Sequence, residues 1–324
     1  MEVTNQIDII LTQVSKNFKI IFYKPQIFNK GGGIFMKGVK VLLLHVCLLI
    51  CMGFIFSPSI ATAKTHDLIL IHGFCNMQKW SDEFLDTALK TYGSGNVYVL
   101  YTDGTFDVST RTINGRKLYL AGGNNSSAGT DHIAVQAEYV KTLIAKLHAG
   151  YGLSSSFSII AHSMGGLVAR EYAVENPGKV ADIVCLGTPN QGGHIFTNWY
   201  DHFVGYFLGA DNACDDMRDL VSTGIFNAQF PVSAIHFSNK GKLYYIRSVT
   251  NIFTCGSIPI ICEMRLFYEY LSVEGYPQND GMSVFADVAI AGGLELANYT
   301  YKGYSHYDLV IKPDVAVKAM SVLH

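Results

Sequence analysis

Charged side chains are scarce in this sequence. Aspartate, glutamate, lysine and arginine together supply 15% of the 324 residues, whereas hydrophobic residues supply 49%. The formal net charge is −2, so the chain lacks the basic excess typical of nucleic-acid binding, and no nucleic-acid partner is expected. Repeats, low-complexity linkers and a clear second domain are also lacking, and the 7 cysteines show no spacing typical of a zinc site.

Part of the hydrophobic excess lies in one segment. Residues 36–40 form a short basic start, residues 41–56 are almost unbroken apolar sequence, and Ala61-Thr62-Ala63 supplies an Ala-x-Ala site. This pattern predicts a secretory signal peptide over 36–63, cleaved after Ala63, and hence a secreted, extracellular protein. A membrane-spanning anchor is the alternative, although the apolar run is short for one.

The 35 residues before Met36 are polar and aromatic without an organised pattern. Residues 30–33 read Lys-Gly-Gly-Gly, which is what a translated bacterial ribosome-binding site would encode. We therefore expect the natural start at Met36, with residues 1–35 as a non-native upstream extension. A genuine N-terminal extension is the alternative.

Five cysteines remain after removal of the signal peptide. Export permits disulfides, and Cys255 and Cys262 are the favoured pair because they lie close together around a proline-containing loop. Cys185 lies in an apolar strand and is expected to be a buried free thiol.

Strand and helix patterns alternate through residues 64–324. Strands are predicted at 67–71, 96–101, 180–186 and 242–249, a hairpin around Asn114-Gly115, and helices at 81–90, 130–148 and 313–322, with Ser81 and Thr130 as N-caps. The alternation predicts an α/β fold with a mostly parallel sheet and helices on both faces.

The most informative motif lies between a short apolar strand at 157–160 and a helical pattern at 167–173. Residues 161–166 read Ala-His-Ser-Met-Gly-Gly, an A-x-S-x-G form of the nucleophile elbow of α/β-hydrolases. The small flanking residues suit a tight, strained turn, which presents Ser163 above the sheet. Ser163 is therefore the predicted nucleophile.

A serine nucleophile needs a base and an acid that orients the base, and in this fold they follow in the order serine, acid, histidine. Asp280 lies in a loop-type sequence and His306 just before the last predicted helix, so they are the predicted acid and base. Asp287 and Asp308 are alternative acids. The rival histidines are His194, His202, His236 and His324, the last of which is expected to fray at the chain end.

Acyl transfer also needs hydrogen-bond donors for the oxyanion. The amides of Met164, directly after the nucleophile, and of Phe74, in the loop after the first strand, are the predicted pair. Gly73 would let this backbone approach the substrate, whereas His72 is expected to be structural.

With these residues identified, the chain resembles secreted bacterial triacylglycerol lipases of the α/β-hydrolase fold. Residues 71–74 (I-H-G-F) look like their oxyanion loop, 161–166 are similar to the alanine-variant elbow of the Bacillus lipases, and 279–281 (N-D-G) look like the acid loop. Residues 186–193 (L-G-T-P-N-Q-G-G) resemble a turn of the larger Pseudomonas- and Burkholderia-type lipases.

The resemblance carries two further expectations. The larger lipases hold a calcium ion beside the histidine loop, with one aspartate two residues after the histidine. Asp308 occupies that position here, so a structural calcium ion is implied, although no second carboxylate is identified and the chemistry itself requires no cofactor. Those lipases also carry a mobile lid, which would correspond to an insertion at about 194–240. Its aromatic cluster includes Phe196, Trp199, Phe203 and Phe207. Ordinary packing of this segment on the core is the alternative.

These residues predict a secreted serine carboxylic ester hydrolase, a lipase that hydrolyses acylglycerols through an acyl-enzyme on Ser163. Its expected partners are an ester or lipid substrate and, transiently, a lipid interface. A short-chain esterase, a phospholipase or an acyltransferase would use the same triad. A non-catalytic lipid-binding protein that keeps the fold is the alternative from a different class.

If 36–63 is a cleaved signal peptide, the mature secreted protein should begin at Lys64. N-terminal sequencing of protein from the culture medium checks this. Recovery of residues 41–56 in a membrane fraction would instead establish an anchor.

Overall fold

The computed structural model describes residues 64, 66–197, 209–250 and 259–324. The upstream extension, the signal peptide, His202, Cys255 and the side chains Trp199, Phe203 and Phe207 lie outside the described residues. The predictions made for them, and the predicted domain boundaries, therefore remain predictions.

Strands and helices alternate along the described chain. The strands are β1 (Asp67–Ile71), β2 (Val97–Leu100), β3 (Val108–Ile113), β4 (Arg116–Ala121), β5 (Phe157–His162), β6 (Val180–Leu186), β7 (Leu243–Val249) and β8 (Leu294–Lys302). The helices are α1 (Asp82–Tyr92), α2 (Ile133–Gly150), α3 (Gly165–Glu175), α4 (Asp211–Thr223), α5 (Ile225–Gln229), α6 (Pro259–Val273), α7 (Asp308–Ile311) and α8 (Pro313–Ser321).

The strands form one eight-stranded sheet in the order β3-β4-β2-β1-β5-β6-β7-β8. Every neighbouring pair is parallel except the hairpin β3–β4, which turns at Asn114-Gly115. Leu70 pairs with Ile160 and Ile71 with Ala161, so the ends of β1 and β5 lie side by side. In a sheet of this kind the carboxyl ends of the strands form the edge at which ligands bind.

Helices cover both faces of the sheet. Within β1, Leu68 and Leu70 pack into one hydrophobic cluster with side chains of α1 and α8, whereas Ile69 and Ile71 pack into another with α2 and α3. Alternate residues of a strand point to opposite faces, so β1 is buried along its whole length. The prediction of a mostly parallel α/β sheet is confirmed.

One of the two predicted N-caps is correct. The Ser81 hydroxyl accepts a hydrogen bond from the Phe84 amide at 3.1 Å and caps α1. The prediction for Thr130 is wrong, because α2 begins at Ile133, and the Ile133 amide donates to the carboxylate of Asp216 at 2.6 Å. Asp216 belongs to α4, so a residue distant in sequence caps α2.

The cysteine predictions are tested in part. Cys185 is a buried free thiol, as predicted, and Cys75 and Cys214 are also free and buried. The proposed partner of Cys262, Cys255, is not described, so that pairing stays a prediction. Among the described residues, no helix combines the length and apolar character needed to span a membrane.

The C-terminal residue is held, contrary to the expectation that it frays. The backbone amide of His324 donates to Asp182 at 3.0 Å, and its Nδ1 lies 2.6 Å from the same carboxylate oxygen. Asp182 lies within β6 and is fully buried, so this contact fixes the chain end to the sheet.

Ser81→Ala should lower the free energy of unfolding by about 1 kcal/mol, because it leaves an α1 amide without its cap. The substitution also removes a hydrogen bond from Ser81 to the Ile311 carbonyl. Urea unfolding measures the change, and Ser126→Ala, at an exposed serine in a turn, is the matched control. Equal stability of the two variants would contradict the assigned cap.

Candidate active site

Ser163 lies on a strained turn between β5 and α3. Its φ angle is 53°, in the left-handed region that a residue other than glycine seldom adopts. Two backbone hydrogen bonds hold it there: the Ser163 amide donates to Leu186 O at 2.8 Å, and the Gly166 amide donates to Ser163 O at 3.0 Å. Helix α3 starts two residues later, so its N-terminal amides face the same point.

Close backbone packing explains the small residues around this turn. A Cβ atom added to Gly165 would lie 2.1 Å from the His72 carbonyl oxygen, and one added to Gly73 would lie 2.7 Å from the Ser163 Cβ. Side chains at these two glycines would therefore separate the β1 loop from the elbow. The expected close approach at Gly73 is present, and it is made to Ser163 itself.

Asp280 is fully buried and receives several hydrogen bonds. Its Oδ1 accepts from the amides of Met282 at 3.1 Å and Ser283 at 2.8 Å. Its Oδ2 accepts from the Ser248 hydroxyl at 2.7 Å and lies 2.9 Å from His306 Nδ1. These contacts hold the carboxylate in one orientation.

His306 is also fully buried and is tied to the same loop. Its backbone amide donates to Asp280 O at 2.9 Å, while its Nδ1 faces the Asp280 carboxylate and therefore carries the proton. The Nε2 atom is buried and has no hydrogen-bond partner among the described residues. Nε2 is therefore the nitrogen that would accept a proton, and no hydrogen bond from the Ser163 hydroxyl to it is present in this structure.

His162 joins His306 to the elbow. Its Nε2 lies 3.1 Å from the His306 carbonyl oxygen, and the two rings are 4.5 Å apart. Burial, with a further contribution from His306, lowers the pKa of His162 well below its usual value. The neutral ring therefore donates from Nε2, and the residue beside Ser163 fixes the backbone of His306.

The amides of Phe74 and Met164 are the predicted donors to the oxyanion. They follow directly after Gly73 and Ser163, the two residues whose backbones approach each other closely. Neither the Phe74 nor the Met164 amide donates to another described residue. The Gly73 carbonyl accepts from His72 Nδ1 at 2.6 Å and from the Asn76 amide at 3.1 Å. Because the peptide is planar, fixing the Gly73 carbonyl also fixes the direction of the Phe74 N–H.

His72 therefore has the structural role expected of it. Burial lowers its pKa to about 4, so the ring is neutral. Its Nε2 accepts from the Thr102 amide at 3.0 Å, which leaves Nδ1 as the donor to Gly73.

The three predicted triad residues are buried in this structure. Ser163 is 5% exposed, and both Asp280 and His306 are fully buried. Phe196 packs against Phe74 with ring centroids 5.3 Å apart, so the start of the predicted lid contacts the oxyanion loop.

Those alternative acids and bases that the structure describes are occupied elsewhere or lie on the surface. His194 pairs with Asp287, and His236 is exposed. The Asp308 carboxylate accepts from the Ser305 amide at 2.7 Å and faces Lys312 Nζ at 3.7 Å.

The contacts of Asp308 do not fit the calcium ligand that the resemblance implies. Its carboxylate is engaged by a serine and a lysine, and no group of three potential metal-ligating side chains occurs among the described residues.

Three residues of the site were not predicted from sequence: His162, Ser248 and Ser283. Ser283 donates from its hydroxyl to Gly187 O at 2.7 Å and from its amide to Asp280. No local pattern distinguishes Ser248 or Ser283 from other serines, because each contact joins segments distant in sequence. His162 was visible as a part of the elbow motif.

Comparisons with known proteins bear on the fold. Residues 122–207 match the model of a PGAP1-like alpha/beta domain. A lipase from Bacillus licheniformis in its mature form superposes with a TM-score of 0.54 at 13% identity, covering 82% of this chain and 93% of the lipase. The fold is that of the α/β-hydrolases.

A metagenomic carboxyl esterase gives a TM-score of 0.56 at 14% identity, over 82% of this chain and 78% of the esterase. Compared by sequence with curated proteins, the chain has no match. At these identities the structural likeness establishes the α/β-hydrolase fold alone.

Ser163→Ala should lower ester hydrolysis by on the order of 10⁴-fold or more in a folded protein, and His306→Ala by a similar factor, because triad members act as a unit. Asp280→Asn should be less damaging, since the acid orients and stabilises the imidazole. Steady-state rates on a p-nitrophenyl ester measure these losses.

The exposed His236 provides the matched control: His236→Ala should retain activity. Activity that survives His306→Ala but not His236→Ala would show that the base is wrongly assigned.

Proposed function

We propose that this protein is a secreted serine ester hydrolase, a lipase that cleaves acylglycerols. The observation that carries the proposal is the buried Asp280–His306 pair, whose free Nε2 atom lies in the segment held against the elbow of Ser163. A buried histidine with one nitrogen on a carboxylate and the other unpartnered is prepared to accept a proton.

The proposed reaction has two halves. Ser163 Oγ attacks the ester carbonyl while His306 Nε2 takes the hydroxyl proton, and the C–O bond to the alcohol breaks as His306 returns that proton to the leaving oxygen. Water, activated by the same histidine, then attacks the acyl-enzyme and releases the fatty acid. In both half-reactions the transferred proton passes through His306.

The Phe74 and Met164 amides supply the charge stabilisation. They would donate to the oxyanion that forms in each half-reaction, and removal of one such donor typically slows an enzyme by about 10²–10³-fold. The free amides, the N-terminus of α3 and the fixed Gly73 peptide support this role. The steps require no metal ion, and we assign no calcium ligand to Asp308.

Lipid as the substrate is supported by the buried nucleophile and by the aromatic contact at the oxyanion loop. A largely buried nucleophile, with Phe196 packed on Phe74, suits a site that opens when its apolar cover transfers to a lipid surface. The structures similar to this fold include a lipase and a carboxyl esterase. Both names describe enzymes that hydrolyse carboxylic esters. Secretion rests on the predicted signal peptide at 36–63.

A lipase with such a cover should be activated by an interface. We expect the rate on a partly soluble ester to rise sharply once the substrate exceeds its solubility, because the cover then exchanges water for lipid. Trp199→Ser with Phe203→Ser should lower hydrolysis of long-chain emulsions more than hydrolysis of p-nitrophenyl acetate. Rates on tributyrin and on long-chain emulsions show how activity depends on the length of the acyl chain.

The wild-type rate on p-nitrophenyl acetate serves as the control for folding and chemistry. Smooth saturation across the solubility limit, with equal losses on both substrates in the double variant, would contradict the lipase proposal. That outcome would assign the enzyme to the short-chain esterases.

A further inference from the structure

A concave site lies between four helices of the protein. Its volume is about 310 Å³, and its walls come from the start of α2, the middle of α3, and the helices α4 and α5. This volume is at the small end of ligand pockets. None of the residues assigned to ester hydrolysis lines it.

Glu171 is the distinctive group in this cavity. The residue is 4% exposed, and its carboxylate makes no hydrogen bond or ion pair with any described residue. Burial raises the pKa of Glu171 to about 7, and the nearby carboxylates Glu175, Asp216 and Glu138 add to this effect. A buried carboxylate without a counter-charge is unfavourable, and a cation in the cavity would relieve it.

The other charged residues that line the cavity are also negative. Asp216 and Asp219 contribute two more carboxylates, although Asp216 also receives hydrogen bonds from His132 and from the Ile133 amide. No lysine or arginine is among the described residues that line the cavity. Arg170, next to Glu171 in sequence, donates to Asn190 and Asn227, and its guanidinium lies 4.8 Å from the centroid of the Phe226 ring.

Aromatic rings complete the cavity. Phe226 and Phe230 both line it, with ring centroids 5.0 Å apart and planes inclined at 48°. One face of Phe226 already carries the Arg170 guanidinium, so Phe230 is the ring left for a ligand cation. Tilted aromatic rings beside carboxylates attract cations that carry apolar groups, since the ring faces are negative and the methyl groups pack against them. A strongly hydrated inorganic ion would gain little from such walls.

We propose that this cavity binds a quaternary ammonium group of the choline type, with Glu171 as its counter-ion and Phe230 as its aromatic wall. The group could arrive as free choline or as the headgroup of a lipid, and the chemistry of recognition is shared. This site is independent of the ester hydrolase assignment, because no residue is common to the two.

Calorimetric titration of the full chain with choline tests the proposal. Glu171→Gln should weaken choline binding by about tenfold or more, because the amide keeps the shape of the carboxylate but removes its charge. Glu83→Gln is the matched control: it makes the same change at an exposed position on α1, outside the cavity, and should bind as the wild type does.

The uncharged carbon isostere of choline, with a tert-butyl group in place of trimethylammonium, should bind at least about tenfold more weakly than choline. Phe230→Leu, which leaves Glu171 intact, should weaken choline but hardly affect the isostere. Both variants should keep the circular dichroism spectrum of the wild type.

Binding to lipid vesicles distinguishes free choline from a choline headgroup of a lipid as the natural ligand. Binding to phosphatidylcholine vesicles in preference to phosphatidylglycerol vesicles, lost in Glu171→Gln, would identify a lipid headgroup. Choline binding without that preference would identify the free cation. Absence of choline binding, equal binding of choline and its isostere, or full binding by folded Glu171→Gln would each overturn the proposal.

Discussion

The close packing of the loop after β1 against the elbow is the contact on which the rest of the site depends. The side-by-side ends of β1 and β5 bring the His72 carbonyl against Gly165 and Gly73 against Ser163. No side chain fits at either glycine, so the two backbones meet directly. This contact holds Ser163 in its strained conformation and brings the Phe74 amide beside the elbow, where it can serve with the Met164 amide.

A second set of contacts brings the C-terminal part of the chain to this centre. Asp280 and His306 are linked through both a backbone and a side-chain hydrogen bond, and His162 carries the linkage to the residue beside Ser163. All three side chains are buried, so their hydrogen bonds act in a medium of low dielectric. Helix α3 connects the two candidate sites, because it begins at the elbow and carries Glu171 into the second cavity.

The sequence predicted what short-range pattern determines. Alternating strands and helices gave the parallel sheet, and the small residues around Ser163 gave the elbow. Contacts between residues distant along the chain could not be predicted in this way. Asp216 caps α2 in place of Thr130, Asp182 holds His324, and His194 pairs with Asp287. The assignment of Asp280 and His306 came from their order in the chain, whereas their mutual contact and the support from Ser248 required the folded structure.

The most direct test of the account is a crystal structure of the protein inactivated by an alkyl phosphonate. The account predicts a bond from phosphorus to Ser163 Oγ and a phosphonyl oxygen at about 2.7–3.1 Å from the amide nitrogens of both Phe74 and Met164. His306 Nε2 should face the other oxygen of the adduct. Reaction at a different residue, or a phosphonyl oxygen directed away from both amides, would contradict it.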